Sequence, residues 1–491
     1  MSRTQQQFQP SPLDVLIIGA GLSGIGAASA LTEKCPDKRY LILERREAIG
    51  GTWDLFRYPG IRSDSDMYTL SYSYKPWTNR KAIADGPNIK RYIEEMAEES
   101  GAIHTIRFRH RVVSASWSST DALWTVTAMV ADDDGNEHEQ HYQTRFISSC
   151  SGYYSYDEGH RPTFPNEDAF EGQIVHPQFW PEDLDYSGKR VVVIGSGATA
   201  VTLVPAMTEK AAHVTMLQRS PSYVVSRPQT DGIAQSLQKV LPLPLAHGLT
   251  RWKNVLLGSF FYDIARRKPE MFRQRLLNMV KTQVGSDVDM KHFSPSYKPW
   301  DQRLCAVPDG DLFHDLRAGR ASIVTDTIER FTPRGILLSS GEELEADIII
   351  TATGLKLNAL GDVALTVDGE PVAFGDCMSY KGMMLSGIPN MIVTFGYTNA
   401  SWTLKAELTS NYTCRLIRHM DRKGYRMAVA YRDPSVGVMP FLDFTSGYVQ
   451  RATDILPKQG DRAPWQVHQN YLKDKLAIQY GRIDDSVMQF R

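Results

Sequence analysis

The chain has 491 residues, enough for two or three domains and a sizeable core. Lys and Arg total 55 and Asp and Glu total 56, so the formal net charge is −1. This balance excludes a global field that would attract nucleic acid or a membrane, and we expect no nucleic-acid partner.

Cysteine usage and the N-terminus indicate the compartment. The five cysteines are Cys35, Cys150, Cys305, Cys377 and Cys414. They lack C-x-x-C spacing, which argues against a disulfide framework or a zinc site, so we expect no metal. Met1–Pro12 is polar and has no apolar run of the signal-peptide kind. No apolar segment of about 18 residues is present, so we expect a cytoplasmic protein without a transmembrane helix.

The first elements predict a dinucleotide-binding fold. The apolar run Asp14–Ile18 predicts a buried strand, which leads into the G-x-G-x-x-G turn of residues 19–24. A helix is predicted over Ile25–Thr32, and a second strand over Tyr40–Leu43 ends in Glu44. Because strand, glycines, helix, strand and acid stand in register, the motif predicts a nucleotide site.

Each residue type in this turn has a physical role. Gly19 makes the tight turn, Gly21 lets the backbone approach a pyrophosphate, and Gly24 packs helix on strand. Glu44 is expected to accept hydrogen bonds from a ribose 2′-hydroxyl, which favours FAD or NAD over NADP. The predicted cofactor contacts here are Gly19, Gly21, Ser23, Gly24 and Glu44.

A glycine-aromatic loop follows over residues 50–64. Two glycines before Trp53 suggest backbone held close to a flat ring, and Pro59–Gly60 imposes a turn. The charged groups of Arg62 and Asp64 would otherwise read as a weak surface ion pair. The candidate residues of this loop are Gly51, Thr52, Trp53, Asp54, Arg62, Ser63 and Asp64. The family resemblance described below implies that they bind a cofactor.

A second glycine turn contrasts with the first. The strand Arg190–Ile194 leads into a G-x-G-x-x-A turn, and the next strand, His213–Leu217, is followed by Gln218 and Arg219 where an acid would stand. A guanidinium can pair with a phosphate that a carboxylate would repel, so this fold should bind NADP(H). The alternative for Arg219 is a solvated surface arginine. The predicted contacts are Gly195, Ser196, Gly197, Ala198, Thr199, Ala200, Arg219 and Ser220.

Two dinucleotide folds imply a flavin that is reduced by a nicotinamide. Glutathione-reductase-like enzymes also have two, but they carry a redox-active C-x-x-x-x-C that this chain lacks. Dioxygen is therefore the expected electron acceptor.

The pattern is helical from about Ser226 to His292, with helices expected over Ile233–Val240, Trp252–Ile264 and Met271–Val284. This part is locally basic. A basic amphipathic helix can bind a membrane surface, but we expect the commoner solvated face, and a lid over a substrate tunnel.

Two motifs show a resemblance to a known family. Residues 170–181 read F-x-G-x-x-x-H-x-x-x-W-P, an inter-domain segment in which His176 is titratable near neutrality. Residues 50–64 match [AG]-G-x-W-x-x-x-x-[FY]-P-[GM]-x-x-x-D at every fixed position. The chain resembles the Baeyer–Villiger family of class B flavoprotein monooxygenases. The runs 57–67, 300–304 and 397–402 are similar to the ethionamide-activating (EtaA-like) subgroup.

The resemblance implies an α/β fold with two Rossmann-like dinucleotide-binding domains, one for FAD and one for NADP, and a helical insertion in the second. Residues 1–152 would begin the FAD-binding domain. Residues 153–345 would form the NADP-binding domain, with the insertion at about 226–292, and residues 346–491 would complete the FAD-binding domain.

It also implies roles. Val112, in a meander of strands over Phe108–Trp117 and Leu123–Val130, would contact the adenine. Arg303 would be the catalytic arginine, with Asp64 holding it through a charge-assisted bond. The family's lysine before this arginine is Gln302 here, so Arg219 would carry more of the 2′-phosphate contact.

The implied reaction consumes NADPH and O₂ and inserts oxygen beside a ketone carbonyl to give an ester or lactone; sulfides would give sulfoxides. Alternatives are an amine- or sulfur-oxygenating flavin monooxygenase, which Trp180-Pro181 argues against, and an NADPH-dependent flavoprotein reductase.

Overall fold

The computed structural model describes residues 11–442 and 444–491. The prediction that Met1–Pro12 is no signal peptide therefore falls almost wholly outside the described residues.

The first part of the chain alternates strands and helices and then turns to strands alone. Its strands are β1 (Leu13–Ile18), β2 (Tyr40–Leu43), β3 (Ile106–Arg107), β4 (His110–Ser118), β5 (Leu123–Ala131), β6 (Glu137–Ser149) and β7 (Tyr154–Gly159). Its helices are α1 (Leu22–Lys34), α2 (Thr52–Leu55), α3 (Met67–Leu70) and α4 (Gly86–Glu99).

The middle part repeats the pattern and adds long helices. Its strands are β8 (Gln173–Val175), β9 (Arg190–Ile194), β10 (His213–Gln218), β11 (Val224–Arg227), β12 (Cys305–Pro308), β13 (Ala321–Thr325), β14 (Ile328–Thr332), β15 (Gly335–Leu338), β16 (Glu343–Glu345) and β17 (Ile348–Thr351). Its helices are α5 (Ala198–Met207), α6 (Gly232–Val240), α7 (Leu243–Arg267), α8 (Pro269–Val284) and α9 (Asp311–Arg317).

The last part consists of short strands around one long helix. The strands are β18 (Leu355–Leu357), β19 (Ala364–Val367), β20 (Glu370–Pro371), β21 (Ser379–Tyr380), β22 (Met384–Leu385), β23 (Met391–Val393), β24 (Ala428–Ala430), β25 (Val438–Pro440), β26 (Lys458–Gly460) and β27 (Met488–Phe490). The helices are α10 (Trp402–Lys423), α11 (Gly447–Gln450) and α12 (Tyr471–Asp474), followed by a π-helical turn over Lys475–Tyr480.

The first sheet gathers strands from both ends of the chain. Its order is β20-β19-β4-β5-β6-β1-β2-β3, and β23 pairs in parallel with β6. The long strand β6 belongs to two patterns: residues 137–144 pair antiparallel with β5, and residues 144–149 pair in parallel with β1. A meander is thus built directly onto a parallel nucleotide-binding sheet.

The second sheet is wholly parallel, in the order β13-β10-β9-β17-β8. Its central strand residues Val192, Val193, Ile349 and Ile350 are buried, as strands with helices on both faces require. Between the two sheets the chain crosses twice, and the two crossings pair with each other as β7 and β18.

The predicted strands of both nucleotide folds and the predicted helices of the insertion are confirmed, with α7 longer at both ends than expected. The chain leaves the second sheet later than the predicted domain boundary between residues 345 and 346. Residues 348–351 form β17, which pairs with β9 and β8, because their apolar run continues the second sheet. We propose the domain limits on this strand assignment, with the return to the first sheet after Thr351.

The helical insertion packs on the first part of the chain through α7. The Arg251 guanidinium donates to the main-chain carbonyls of Tyr68, Thr69 and Ser71 and pairs with Glu407 at 2.8 Å. These contacts compensate the buried charge of Arg251 and hold one face of α7 against the first part of the chain. None of the helices in residues 11–442 and 444–491 is long and apolar enough to cross a membrane.

A buried ion pair ties the end of the chain to α10. The Lys405 ammonium lies 2.6 Å from the Asp474 carboxylate, and both side chains are about 95% or more buried. The Tyr397 hydroxyl donates to the same carboxylate oxygen at 2.8 Å. Burial lowers the pKa of Lys405, an effect that Asp474 opposes. Removing one partner would therefore leave a desolvated charge.

We predict that Lys405→Met destabilises the protein by about 3–5 kcal/mol, because Asp474 is left buried and unpaired. The double variant Lys405→Met/Asp474→Leu should recover most of the loss. Thermal unfolding of the FAD-saturated protein measures both. Lys356→Met, which removes an exposed pair with Glu158, is the matched control and should shift the midpoint little. Equal losses for Lys405→Met and the double variant would contradict the prediction.

Candidate active site

One cavity of about 1060 Å³ lies where the two sheets face each other. Its walls include the residues that follow β1, β2 and β6 in the first sheet and the N-terminus of α5 in the second. Ligands of open parallel sheets bind outside the carboxyl ends of the strands, so this is the expected place for a dinucleotide.

The first glycine turn has the close approaches that its sequence predicts. Gly19 has φ +99°, and a side chain there would meet the carbonyl of Cys150. A Cβ on Gly24 would lie 1.8 Å from the carbonyl oxygen of Gly19, so helix α1 can reach strand β1 only with glycine at this position. Gly19, Gly21 and Ser23 line the cavity, whereas Gly24 lies behind it.

Glu44 stands at the end of β2, on the cavity wall. One carboxylate oxygen accepts from the main-chain N–H of Ala20 at 2.7 Å, and the other accepts from that of Arg46 at 2.8 Å. Burial raises the pKa of Glu44, and these hydrogen bonds oppose the rise. The carboxylate is thus fixed in the orientation that a ribose hydroxyl would need.

The loop of residues 50–64 forms the facing wall. Gly51 has φ +56°, and a Cβ there would lie 3.1 Å from the Cα of Gly21. The two glycines therefore leave a cradle that a side chain would fill, which fits a pyrophosphate. Thr52, Trp53 and Ser63 also line the cavity.

Asp54 lies outside this wall. Its carboxylate is 2% exposed and binds Arg46 at 2.6 Å and Lys90 at 2.7 Å. Arg57 lies 3.6 Å from the same carboxylate, so three cations surround Asp54. A direct cofactor contact through its side chain has no support from the geometry.

Arg62 brings a guanidinium to the cavity. Its Nη1 binds the Asp311 carboxylate at 2.5 Å. Its Nη2 is buried and has no hydrogen-bond partner among the described residues. A buried donor without an acceptor fits an anionic or carbonyl group of a bound cofactor.

Val112 also lies on the cavity wall, in β4. The register of the β4–β5 pair shifts between Val112 and Ser114, which locally disrupts the ladder beside the cavity. The contact of Val112 with the adenine stays a prediction.

Arg303 lies in the segment between the insertion and β12, at the cavity wall. Burial by itself lowers the pKa of Arg303, but Tyr153, Tyr448, Tyr154 and Asp64 around it raise the pKa, and the net value lies above the ordinary range. The guanidinium is therefore charged at every working pH, in an aromatic and poorly solvated setting.

Asp64 lies near enough to Arg303 for the two charges to interact. Burial raises the pKa of Asp64, and Arg303, Arg62 and Arg227 oppose that rise in this order. The predicted charge-assisted hydrogen bond between Asp64 and Arg303 is absent from the described residues. The interaction acts through space, while the main-chain carbonyl of Asp64 accepts from Arg227 at 3.3 Å.

The second glycine turn opens toward the same cavity. Gly195 has φ +144°, and a Cβ there would lie 2.3 Å from the carbonyl oxygen of Ala352. Gly197 has open space above it, and Ala198 and Thr199 at the N-terminus of α5 line the cavity. The N-terminus of α5 therefore lies on the same cavity as the first glycine turn, and its N–H groups would hold the pyrophosphate of NADPH.

The other residues that are predicted to bind NADP(H) in this fold do not line the cavity. Ser196 bonds Ser222 at 3.0 Å, and Ala200 is buried in α5. Arg219 and Ser220 are exposed just beyond the end of β10. That is the edge at which a ribose 2′-phosphate would emerge.

The F-x-G-x-x-x-H-x-x-x-W-P segment includes β8, the edge strand of the second sheet. Phe170 contacts Phe331 edge to face, and a Cβ on Gly172 would lie 2.4 Å from the carbonyl oxygen of Asp347. The His176 ring lies on Gly159, where a Cβ would come 2.0 Å from its Cε1. Gly159 ends β7, so His176 packs against the crossing between the sheets.

Sequence reasoning missed several aromatic groups. Tyr153 and Tyr154 follow the strand–glycine exit at Gly152, which was a usable signal. Trp402 donates to the Ser23 hydroxyl at 2.7 Å and stacks on Tyr153, with ring centroids 5.1 Å apart. Tyr448 comes from α11, far away in the chain, and no local pattern marks it.

Comparison with known proteins gives the family. Residues 13–359 match the model of the FMO-like family, described as flavin-binding monooxygenase-like. The chain belongs to this family. It is 53% identical over 480 residues to the FAD-containing monooxygenase EthA of Mycolicibacterium smegmatis, with 97% of this chain and 96% of that protein covered. It is 54% identical over 487 residues to the protein of the same name from Mycobacterium tuberculosis, with 97% of each covered.

These relatives confirm the predicted resemblance, including the EthA-like subgroup. A solved structure of an oxidized steroid monooxygenase bound to NADP aligns with a TM-score of 0.75 at 20% identity, covering 98% of this chain and 99% of that chain. This match confirms the predicted fold class of two dinucleotide-binding units with helical content.

We predict that Arg219→Ala raises the KM for NADPH at least about tenfold, because a charge-assisted contact to the 2′-phosphate is lost. The KM for NADH, which has no such phosphate, should stay unchanged. Initial rates with both cofactors measure the ratio. Arg330→Ala is the control, because Arg330 is another exposed arginine of the same domain and its partner Glu329 is exposed as well. A parallel change in both KM values would contradict the assignment.

Proposed function

We propose that this protein is an FAD-dependent, NADPH-consuming Baeyer–Villiger monooxygenase. It inserts one atom of O₂ beside a ketone carbonyl to give an ester or lactone, and it oxidises sulfides to sulfoxides. The observation that carries the proposal is the placement of Arg303, a permanent and partly buried cation, on the wall of the cavity that the first glycine turn and the N-terminus of α5 also line.

The residues present fit the two cofactors. Gly19, Gly21 and Glu44 would hold the FAD pyrophosphate and ribose, and the cradle between Gly21 and Gly51 has the room that a phosphate needs. The turn of residues 195–200, with Arg219, would hold NADPH. When bound, reduced FAD supplies the activation of O₂, and NADPH supplies the hydride.

Arg303 stabilises negative charge that develops on oxygen during the transfer. A fixed guanidinium does this without giving up a proton, and it costs no reorganisation at the moment of reaction. Tyr153, Tyr154 and Tyr448 surround it and limit its hydration. The charge of Arg303 is therefore felt more strongly than it would be in water.

Asp64 positions this charge. Its carboxylate lies on the same wall, and Arg303 is the foremost of the arginines that oppose the rise of its pKa. A nearby anion keeps the guanidinium from drifting toward other acceptors, but it does not neutralise it by a direct bond. We assign Asp64 the role of a positioning residue for Arg303.

His176 is assigned a structural role. Burial lowers the pKa of His176, so the ring is neutral at pH 7, and it packs on the crossing segment instead of the cavity. This supports coupling between the two halves of the chain and gives no support to proton transfer to substrate.

We predict that Arg303→Ala keeps NADPH-driven flavin reduction but lowers ester formation by about 10³-fold or more, because the charge on oxygen loses its stabilisation. Anaerobic stopped-flow absorbance measures the reduction, and product analysis with a small ketone measures the ester. Arg303→Lys should retain part of the activity, since it keeps the charge but not the planar fork.

Arg266→Ala is the matched control, because Arg266 is an exposed arginine that pairs with Asp301 in the same segment. Its ester yield should match that of the unchanged protein. Ester formation by Arg303→Ala at a near-normal rate would refute the role of Arg303. NADPH consumption that no ketone or sulfide stimulates would favour a reductase over a monooxygenase.

A further inference from the structure

More than half of the large apolar side chains that are exposed in the described residues lie between residues 233 and 271. Five of them form one stripe along α7, at spacings of three or four residues. They are Leu245, Leu249, Trp252, Leu256 and Phe260, with exposed fractions of 38–57%. Residues at this spacing share one face of a helix, so the stripe is continuous.

The opposite face of α7 is fully engaged. Ala246, His247, Thr250 and Arg251 are buried against the first part of the chain, and the Arg251 contacts fix the rotation of the helix. The apolar stripe is thus held outward by the packing of its other face. Such a contiguous apolar surface marks an interaction site, unlike singly scattered apolar residues.

The charge around the stripe is strongly positive. Residues 232–284 contain nine Lys and Arg and two Asp and Glu, a net charge of +7 in a chain whose total is −1. Three of these cations pair with carboxylates outside this range, Arg251 with Glu407, Lys253 with Asp231 and Arg266 with Asp301, and the others still leave an excess of positive charge. Arg267 and Lys268, at the end of α7, are exposed and have no carboxylate partner in residues 11–442 and 444–491. The partner of this surface therefore carries negative charge next to apolar material.

A second segment extends the surface. Lys475 lies over the ring of Trp252, 4.4 Å from its centroid. In the same π-helical turn, Leu476 and Tyr480 are 66% and 67% exposed. Trp and Tyr beside Lys are the side chains that favour the boundary between lipid and water.

The cavity opens beside the stripe. Leu257, Phe261 and Met271 line the cavity and are also 46–51% exposed, so its mouth between α7 and α8 is apolar. Leu257 and Phe261 each follow a stripe residue directly along α7. A partner that binds the stripe therefore also contacts the mouth of the cavity.

We propose that the α6–α8 insertion docks on a lipid bilayer that carries anionic headgroups. The stripe enters the headgroup boundary, and Arg267 and Lys268 contact the anionic lipids. A second copy of the chain fits less well, because it would bring the same positive insertion against itself. This proposal departs from the expectation that the basic helices present a solvated face.

The docking deepens the proposed function and, in this part, rests on it. A mouth that opens at the bilayer surface admits apolar ketones and sulfides that are dissolved in the lipid. Long-chain substrates then reach the cavity without leaving the lipid for water, a transfer whose cost rises with every CH₂ group.

Flotation of the FAD-saturated, full-length protein tests the docking. Vesicles are made of phosphatidylcholine alone or with about one third phosphatidylglycerol, an anionic lipid. The protein should float with the anionic vesicles, and Arg267→Gln/Lys268→Gln should weaken this about tenfold or more, at roughly 1 kcal/mol for each charge. Leu256→Ser/Phe260→Ser should abolish it.

Leu256 and Phe260 lie outside the cavity wall, so this variant should oxidise a short, water-soluble ketone normally. Its rate with a long-chain methyl ketone dissolved in the vesicles should fall. Val438→Ser/Met439→Ser, an exposed apolar pair in β25, is the matched control and should float normally.

The docking is overturned if the unchanged protein stays off both kinds of vesicle, or if Leu256→Ser/Phe260→Ser floats as well as the unchanged protein. It is also overturned if light scattering shows a dimer that this variant dissociates while lipid binding is absent. If the protein floats as expected but oxidises no ketone or sulfide, the docking stands and the proposed function fails.

Discussion

A partly buried guanidinium without a direct carboxylate partner among the described residues is the constraint around which we propose the site is built. Arg303 is surrounded by phenol groups, and Asp64 stands near without a hydrogen bond to it. A full ion pair would compensate the charge and weaken its attraction for a developing anion. We propose that through-space stabilisation by Asp64, added to aromatic surroundings, keeps the cation in place and available.

The rest of the architecture brings two nucleotide sites to this cation. Each parallel sheet ends in a glycine turn, and close contacts leave no room for a side chain at Gly24 in one unit or Gly195 in the other. Because both turns open on one cavity, electrons can pass from one carrier to the other without leaving the protein interior. The chain crosses between the sheets as β7 and β18, and their pairing holds the crossings together.

The repeating, local parts of the fold could be predicted from the sequence. The strands of both nucleotide folds follow from apolar runs that end in glycine, and the fixed positions at 50–64 located the facing wall. Three features of the structure could not be predicted from the sequence. Residues 348–351 add to the second sheet, and a single apolar strand carries no mark of its neighbour. Asp54 is occupied by Arg46 and Lys90, which are set by tertiary packing. Tyr448 reaches Arg303 from another part of the chain.

The contact of His176 with Gly159 has a consequence for recombining this protein with its relatives. The ring lies flat on the backbone of a residue in a different segment, and even a methyl group would collide with it. A chimera whose junction falls between these positions could bring a larger residue against an unchanged ring. Gly159 and His176 should therefore be exchanged together, as one inherited unit, whenever halves of such chains are swapped.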